Sequence, residues 1–329
     1  MASAEAVGVL PLAARYGDRL PLGSGPVVSL GEGSTPLLPA PRLSERLGLD
    51  VWLKWEGANP TGSFKDRGMT VAVTKAVEDG ARTLVCASTG NTAASAAAYG
   101  ARAGLRVVVL NPEGAVARGK LAQAQAYGAR VLAVRGSFEE AFAAARSLAE
   151  RPGYALVNSL NPYRIEGQKT AAFEIAEELG SLPDVLALPF GGGGNTVAYA
   201  RGFGEWGGGR TRLLAAESTQ RRDTFASAIR ISEPAHGAAV RRVADVVGVT
   251  EHELTEAWRV LARDEGVFCE PASAAGVAAL AHADLAPETT VVCVLTGHGL
   301  KDPDAASALG DEPQLVEPDA VLRVLEGDA

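Results

Sequence analysis

From about residue 64 onward, the chain alternates between short apolar runs and longer stretches with helical periodicity. The runs 83–87, 106–110, 130–134, 185–189 and 290–295 are apolar almost throughout and rich in Val, Leu and Ala. Strands without an alternating polar face are buried on both sides, which is typical of parallel sheets covered by helices. The pattern therefore predicts an α/β protein with two open, twisted, mainly parallel sheets and helices on both faces.

The alternation is long enough for two domains, since domains commonly hold about 100–200 residues and this chain has 329. We expect a smaller, mobile α/β domain at residues 59–159 and a larger domain made of residues 1–58 and 160–329. The segment 217–247 shows the least regular pattern. Helices are expected, among other places, over 66–79, 92–104, 167–179 and 272–283.

Composition excludes some classes of partner. The net charge of −8 disfavours nucleic acid and anionic membranes, and no run approaches the roughly 20 apolar residues of a membrane span. The N-terminus has no apolar run of signal-peptide length. The spacing of Cys86, Cys269 and Cys293 matches no zinc pattern, which favours buried free thiols in a reducing cytoplasm and no bound metal.

Glycine-rich turns lie at three points where a strand ends: Ser88–Thr92, Gly191–Asn195 and Thr296–Gly299. Unpaired N–H groups at a helix N-terminus attract anions, and ligands of open α/β sheets bind beyond the carboxyl ends of strands. Helix capping alone would also explain the first turn, and a flexible surface turn would explain the second. The second turn fits neither the dinucleotide fingerprint nor a Walker loop. Together the turns predict a site for a phosphorylated ligand.

Lysine is rare, with 6 lysines against 25 arginines, and Lys65 is the one in an unusual setting. It lies in the turn-rich stretch 59–68, at the entry to a helix. The positive field of a helix N-terminus and desolvation both lower a lysine pKa, and a deprotonated amine is what a Schiff base requires. A solvated lysine at a helix start is the alternative.

The other ionisable residues have ordinary explanations. Lys54 is interpreted as a common strand-edge lysine, and His298 as a packing or hydrogen-bonding group. Glu265 and Glu270 are expected to serve helix ends rather than acid–base chemistry.

Several motifs resemble fold type II pyridoxal phosphate (PLP) enzymes and, among them, the threonine synthase family. They run in the family's order from about residue 27 to residue 303. The motifs are Glu32-Gly-Ser-Thr-Pro-Leu37, Asn59-Pro-Thr-Gly-Ser-Phe-Lys-Asp-Arg-Gly68, the turns at 88–92 and 191–195, Val157 to Thr170, Ala228-Ile-Arg-Ile231, Glu265 to Ala274, and Thr296-Gly-His-Gly-Leu-Lys-Asp-Pro303.

The resemblance implies a role for each matching residue. Lys65 would be the catalytic residue, bonded to pyridoxal 5'-phosphate in the larger domain. The other cofactor-binding residues would be Phe64, Asn91, Gly191, Gly192, Gly193, Gly194, Asn195 and Thr296. Ser88, Thr89, Asn91 and Thr92 would bind the substrate carboxylate, and Thr92, Ser159, Arg164 and Asn195, with Lys65, the substrate phosphate.

The implied reaction is that of a carbon–oxygen lyase of threonine biosynthesis. Phosphate leaves Cγ of O-phospho-L-homoserine, a small amino-acid phosphate, and water adds at Cβ to give L-threonine. The resemblance also implies a cytoplasmic homodimer.

The chain departs from the family pattern in places that leave other readings open. Ser232-Glu233 replaces an expected Gly-Asn, and the segments 217–223 and 242–249 are shortened. Alternatives are a paralogue acting on another phosphorylated or activated amino acid, including O-phosphoserine, or a serine/threonine dehydratase. Outside the enzymes, a non-catalytic α/β protein that binds a metabolite is the competing class.

Overall fold

A computed structural model describes residues 11–114, 118–307, 310, 313–321, 324 and 325. The first ten residues, on which the expected lack of a secretion signal partly rests, lie outside that set. Within the described residues, every helix is too short or too polar to cross a bilayer.

The strands form two sheets, as predicted. A six-stranded sheet has the order β1-β2-β10-β7-β8-β9, and a four-stranded sheet has the order β5-β4-β3-β6. All neighbours pair in parallel except β1 with β2. The strands are β1 (Leu37–Pro39), β2 (Asp50–Trp55), β3 (Thr83–Ala87), β4 (Arg106–Pro112), β5 (Arg130–Val134), β6 (Tyr154–Leu156), β7 (Val185–Pro189), β8 (Arg212–Ser218), β9 (Asp245–Val249) and β10 (Thr290–Leu295).

Helices cover both faces of each sheet. They are α1 (Leu12–Tyr16), α2 (Pro41–Leu47), α3 (Lys65–Glu78), α4 (Asn91–Arg102), α5 (Arg118–Ala126), α6 (Phe138–Ala149), α7 (Pro162–Gln168), α8 (Thr170–Leu179), α9 (Gly194–Trp206), α10 (Gly237–Val243), α11 (Glu251–Arg263), α12 (Ala275–Ala279) and α13 (Pro303–Ser307).

The two faces of each central strand pack into separate hydrophobic cores. Along β7, Val185 and Ala187 face a core with α11 and α12, while Leu186 and Leu188 face a core with α8 and α9. Along β3, alternate residues likewise enter two separate cores, one with α3 and α4 and one with α6. This two-sided burial is why the strands are apolar throughout, so the predicted fold class is confirmed.

Two predicted helices differ from the structure. The stretch 167–179 contains two helices, α7 and α8, which meet at Lys169. Gly167 does not start a helix; it lies within α7, where a Cβ would come within 1.8 Å of the Arg67 carbonyl oxygen of α3. The stretch 272–283 holds the short helix α12 between two 3₁₀ turns.

The irregular segment 217–247 contains α10 and most of β9, neither of which the sequence predicted. The strand β9 is the last in its sheet, and most of its residues are only partly buried. An edge strand has no need of a continuous apolar pattern, so the sequence signal is weak there. The predicted buried free thiols are confirmed, since Cys86, Cys269 and Cys293 are all buried and unpaired.

A buried charge network fastens the start of α3 to the six-stranded sheet. The Arg67 guanidinium donates to both carboxylate oxygens of Glu56, at 2.7 and 2.8 Å, and to both of Glu174, at 2.7 and 2.6 Å. Lys54 lies 3.1 Å from Glu174, and all four side chains are fully buried. The interpretation of Lys54 as an ordinary strand-edge lysine is therefore wrong.

Candidate active site

Three loops meet at the carboxyl ends of β2, β10 and β7, which are neighbours in the six-stranded sheet. The loop after β2 carries Lys65. The Phe64 N–H donates to the Thr296 carbonyl oxygen at 3.0 Å, and Ser63 pairs with Gly297, so this loop is held against the end of β10. The loop after β7 is the glycine turn. Two of these loops, those after β7 and β10, are turns that the sequence predicted to converge; the third predicted turn, Ser88–Thr92, follows β3 of the four-stranded sheet.

Lys65 is the first residue of α3 and has an environment that favours the neutral amine. Burial lowers the pKa of Lys65 to about 7; the nearby charge of Arg164 acts in the same direction and that of Glu270 opposes it. Its Nζ lies 4.2 Å from the centroid of the Phe64 ring. Among the described residues, no carboxylate oxygen is within ion-pair distance of it. A nucleophilic amine near neutral pH is therefore available here.

The next residue, Asp66, holds the helix start in place. Its carboxylate accepts the Thr61 N–H at 2.7 Å and hydrogen bonds from the hydroxyls of Thr61 and Ser95, both at 2.6 Å. Ser95 lies on α4, so Asp66 joins the two helices whose N-termini line the site.

The four-stranded sheet contributes the opposite side of the site. Ser88–Thr92 follows β3, and Ser159 follows β6, which is the neighbour of β3. The Asn158 side chain fixes the two loops together, accepting the Ala87 N–H at 3.0 Å and donating to the Ala87 carbonyl oxygen at 2.8 Å. The residues predicted to bind the substrate carboxylate are thus beside Ser159.

Glu270 has the helix-end position that the sequence predicted, directly before the 3₁₀ turn Pro271–Ala274, and its side chain also lies in the site and joins the two sides. Its carboxylate accepts two contacts from Asn91 Nδ2, at 3.2 and 3.0 Å, and one from the Thr296 hydroxyl at 3.4 Å. Burial raises its pKa. Glu265 does have the predicted structural role, because it accepts the Leu43 N–H in the first turn of α2 at 2.7 Å.

Thr296 and His298 both follow β10, but their side chains make different kinds of contact. The Thr296 hydroxyl is 3.1 Å from Ser273 Oγ, so two neighbours hold it. His298 stacks on Trp55, with ring centroids 5.9 Å apart, and its Nδ1 accepts the Leu300 N–H at 3.1 Å. His298 is therefore the packing and hydrogen-bonding residue that the sequence predicted.

The glycine turn is pressed against the segment that follows β8. Gly193 has φ +85°, in the left-handed region, and a Cβ there would lie 2.7 Å from Val240 Cγ2. A Cβ on Gly191 would lie 3.1 Å from the Ala228 carbonyl oxygen. Gly192 and Gly194 have more space, with no neighbour closer than 3.5 Å to a built Cβ. The turn leads into α9, whose first N–H groups are available to an anion.

Arg164 is a buried cation that forms no ion pair with a carboxylate among the described residues. It is 1% exposed, its Nη1 donates to the Val157 carbonyl oxygen at 2.9 Å, and its Nε has no partner among the described residues. Burial lowers the pKa of Arg164 to about 10. A buried guanidinium usually has an anionic partner, so this arrangement favours an anionic ligand beside Lys65.

Other buried polar atoms without a partner are also consistent with a bound ligand. Within the described residues, the buried atoms Ser63 Oγ, Asn195 Nδ2 and Thr196 Oγ1 also have no hydrogen-bond partner. Buried polar atoms are nearly always paired in folded proteins. Although Thr83 and Thr211 show that unpartnered atoms also occur elsewhere in the described residues, those next to Lys65 in the sequence and at the end of the glycine turn are consistent with a binding site. A ligand with a phosphate and further polar atoms would pair them.

The structure brings the predicted site residues together from both sheets. The sequence analysis gave no role to His236 and Ser273, which contact predicted site residues, or to Asn158, which bonds to Ala87 beside the first turn, and it gave Glu270 only a helix-end role. Asn158 and Ser273 lie inside motifs already noted, directly beside Ser159 and near Glu270. Their position inside these motifs was a signal that they belong to the site, but their hydrogen-bond partners are distant in the sequence and could not be identified from it.

A sequence model of the family described as pyridoxal-phosphate dependent enzymes matches residues 28–297. That range is well over half of the chain and includes Lys65, the turns at 88–92 and 191–195, Ser159, Arg164 and Thr296. The chain therefore belongs to the pyridoxal-phosphate dependent enzymes.

Within this family, curated relatives that share most of their length with the chain are threonine synthases. The threonine synthase of Halalkalibacterium halodurans is 50% identical over 317 residues, covering 89% of this chain and 90% of its own. That of Methanocaldococcus jannaschii is 43% identical, covering 93% of this chain and 84% of its own.

Solved structures agree on the fold. The processed form of threonine deaminase isoform 2 from Solanum lycopersicum is 23% identical, with a TM-score of 0.72 over 84% of this chain and 88% of that chain. Maize serine racemase is 21% identical, with a TM-score of 0.75 over 91% of this chain and 94% of that chain.

Proposed function

We propose that the protein is a threonine synthase, which converts O-phospho-L-homoserine and water to L-threonine and phosphate. The observation that carries this proposal is the buried guanidinium of Arg164, which acts on the pKa of Lys65 and forms no ion pair with a carboxylate of the described residues, since it offers an anion site on α7 rather than on the glycine turn. A dehydratase acting on free serine or threonine has no need of a second phosphate site. The identity to threonine synthases from two distant organisms supports the same choice.

The residues present fit pyridoxal 5'-phosphate. Lys65 would bond to it covalently, the turn Gly191–Asn195 would hold its phosphate, and Asn91 and Thr296 would hydrogen-bond its ring oxygen and ring nitrogen. Thr296 offers a neutral hydroxyl, which does not force the ring nitrogen to keep a proton. When bound, the cofactor supplies an electron sink for negative charge that develops on the amino-acid carbon atoms.

The side chains have separate tasks in this proposal. Lys65, as a neutral amine, takes the Cα proton. Ser88, Thr89, Asn91 and Thr92 orient the substrate carboxylate, and Arg164, with Ser159, Thr92 and Asn195, binds the phosphate that leaves from Cγ. An arginine suits this task because its planar fork binds two phosphate oxygens at once.

Product analysis tests the proposal. Purified protein loaded with PLP is incubated with O-phospho-L-homoserine, and threonine and phosphate are measured together. Equal amounts of both are expected. Turnover of O-phosphoserine or of free threonine, with none of O-phosphohomoserine, would instead support a paralogue or a dehydratase. Absence of a PLP absorbance band would favour the non-catalytic class.

Substitution of Arg164 separates phosphate binding from cofactor binding. For Arg164→Lys and Arg164→Met we expect KM for O-phosphohomoserine to rise about 100-fold, because a charge-assisted contact is worth about 1.5–3 kcal/mol. The affinity for PLP should change less than about threefold. Arg201→Ala, which removes a half-exposed arginine of α9, is the control. An unchanged KM in both Arg164 variants would remove the phosphohomoserine assignment.

Substitution of Gly193 tests the glycine turn. Gly193→Ala should weaken PLP binding about tenfold or more, because the left-handed backbone and the contact with Val240 both penalise a Cβ. Gly204→Ala is the matched control, since Gly204 lies inside α9 with no atom within 4 Å of a built Cβ. Dissociation constants are read from PLP titrations of the apoprotein. Equal affinities of the two variants would contradict this role.

We extend the proposal to the domain division at 1–58 with 160–329 and 59–159, and to a cytoplasmic homodimer. The strands support the division, because β3–β6 fall inside 59–159 and the remaining strands outside it. Light scattering after size-exclusion chromatography tests the dimer. Hydrogen exchange with and without ligand tests the mobility of 59–159.

A further inference from the structure

His236 lies between the glycine turn and the loop that carries Ser159. Its backbone N–H donates to the Gly192 carbonyl oxygen at 3.0 Å, and it directly precedes α10. Its Cβ is 3.2 Å from where a Cβ on Gly193 would stand, and its ring Cδ2 is 3.5 Å from the same point on Gly194. The imidazole therefore rests on the glycine turn.

The far side of the ring reaches the other sheet. His236 Nε2 is 3.0 Å from the Ser159 carbonyl oxygen. A carbonyl oxygen only accepts, so Nε2 carries the proton and donates. Ser159 follows β6 of the four-stranded sheet, and the glycine turn follows β7 of the six-stranded sheet. One side chain thus joins two loops from different sheets.

We propose that His236 is a positioning residue that sets the spacing between the cofactor-phosphate loop and the substrate-phosphate loop. The inference rests on the proposed function, in which Gly191–Asn195 and Ser159 bind those two phosphates. A fixed spacing selects substrates whose phosphate ester lies at one distance from the reacting amine.

The amide variants His236→Gln and His236→Asn test the proposal together with His236→Ala. A Gln amide nitrogen can take the place of Nε2, whereas the shorter Asn amide takes that of Nδ1. We expect about tenfold higher KM for O-phosphohomoserine in the Ala and Asn variants, the effect of losing one hydrogen bond. kcat should fall less than threefold, and the Gln variant should stay within about threefold of wild type.

Two binding measurements accompany the kinetics. PLP titration of the apoprotein and titration of the holoenzyme with inorganic phosphate, read by cofactor absorbance, should both weaken in the Ala and Asn variants and recover in the Gln variant. His252→Ala, an exposed histidine of α11, is the control and should match wild type.

The outcomes separate the two proposals. A Gln variant as impaired as the Ala variant, or an Ala variant equal to wild type in both titrations, overturns the role of His236. If wild type does not turn over O-phosphohomoserine, the proposed function fails, and the two titrations still decide whether His236 positions the loops.

Discussion

Lys65→Ala should abolish turnover, lowering kcat by at least about 10³-fold, and the protein should no longer retain PLP through borohydride reduction and denaturation. The physical reason is that the residue has two tasks, the covalent bond to the cofactor and the proton transfer at Cα, and proton transfer alone is worth about 10²–10⁴-fold. Lys75→Ala is the control, because Lys75 lies on the same helix and its contacts are an ion pair with the surface residue Glu78 and the face of the Tyr163 ring.

The pH dependence of cofactor capture follows from the same site. The neutral amine is the nucleophile, and burial lowers the pKa of Lys65 to about 7. The rate at which apoprotein captures PLP should therefore rise about tenfold per pH unit below 7 and level off above it. An exposed lysine has a pKa near 10.4, so its capture rate would keep rising through pH 9.

The reaction of PLP with a free alkyl amine provides the reference, since it contains the ionisation of PLP without that of Lys65. A protein profile that runs parallel to this reference up to pH 9 would contradict the lowered pKa. Retention of PLP by Lys65→Ala after borohydride treatment would place the covalent bond on another residue.

Arg67→Met should cost about 3–5 kcal/mol of unfolding free energy, because it leaves the buried carboxylates of Glu56 and Glu174 with Lys54 alone. The double variant Arg67→Met with Glu56→Gln should recover part of that loss, since its fully buried charges are then the pair Lys54–Glu174, while Glu178, which also contacts Lys54 at 2.7 Å, stays partly exposed to solvent. Urea unfolding of the apoprotein measures both. This is the largest stability effect that we expect from a single substitution.

Arg212→Ala is the control for the loss of an ion pair. The Arg212–Asp245 pair is exposed at both ends, 45% and 57%, and such pairs contribute at most about 1 kcal/mol. If Arg67→Met were no more destabilising than Arg212→Ala, the buried network would not hold α3 to the sheet. If the double variant were less stable than Arg67→Met, charge balance would not be the cause.

The sequence could predict the parts of this fold that are locally encoded. Two-sided burial makes β3, β7 and β10 apolar almost throughout, and their predicted bounds match the structure. The glycine turns follow strand ends, and neighbouring parallel strands bring those ends together. That is enough to place Lys65 near the turn at 191–195.

Contacts between distant segments could not be predicted in the same way. The sequence indicated only a helix-end role for Glu270, because its hydrogen-bond partner Asn91 lies 179 positions away and the contact leaves no local pattern. Lys54 looked ordinary because the carboxylate of Glu174 reaches it from another helix. His236 lies in a segment with no clear periodicity. In each case the tertiary structure, rather than the local pattern, determines what the side chain does.

The charge network at the start of α3 also bears on how this sequence can change over generations. Lys54 and Arg67 balance Glu56 and Glu174 in a site closed to water. Any one replacement that removes a charge leaves an unmatched buried charge, so its effect depends on which residues occupy the other three positions. We expect substitutions at these four positions to show strong epistasis, so that tolerated changes occur as compensating pairs. Substitutions of exposed arginines should be tolerated one at a time.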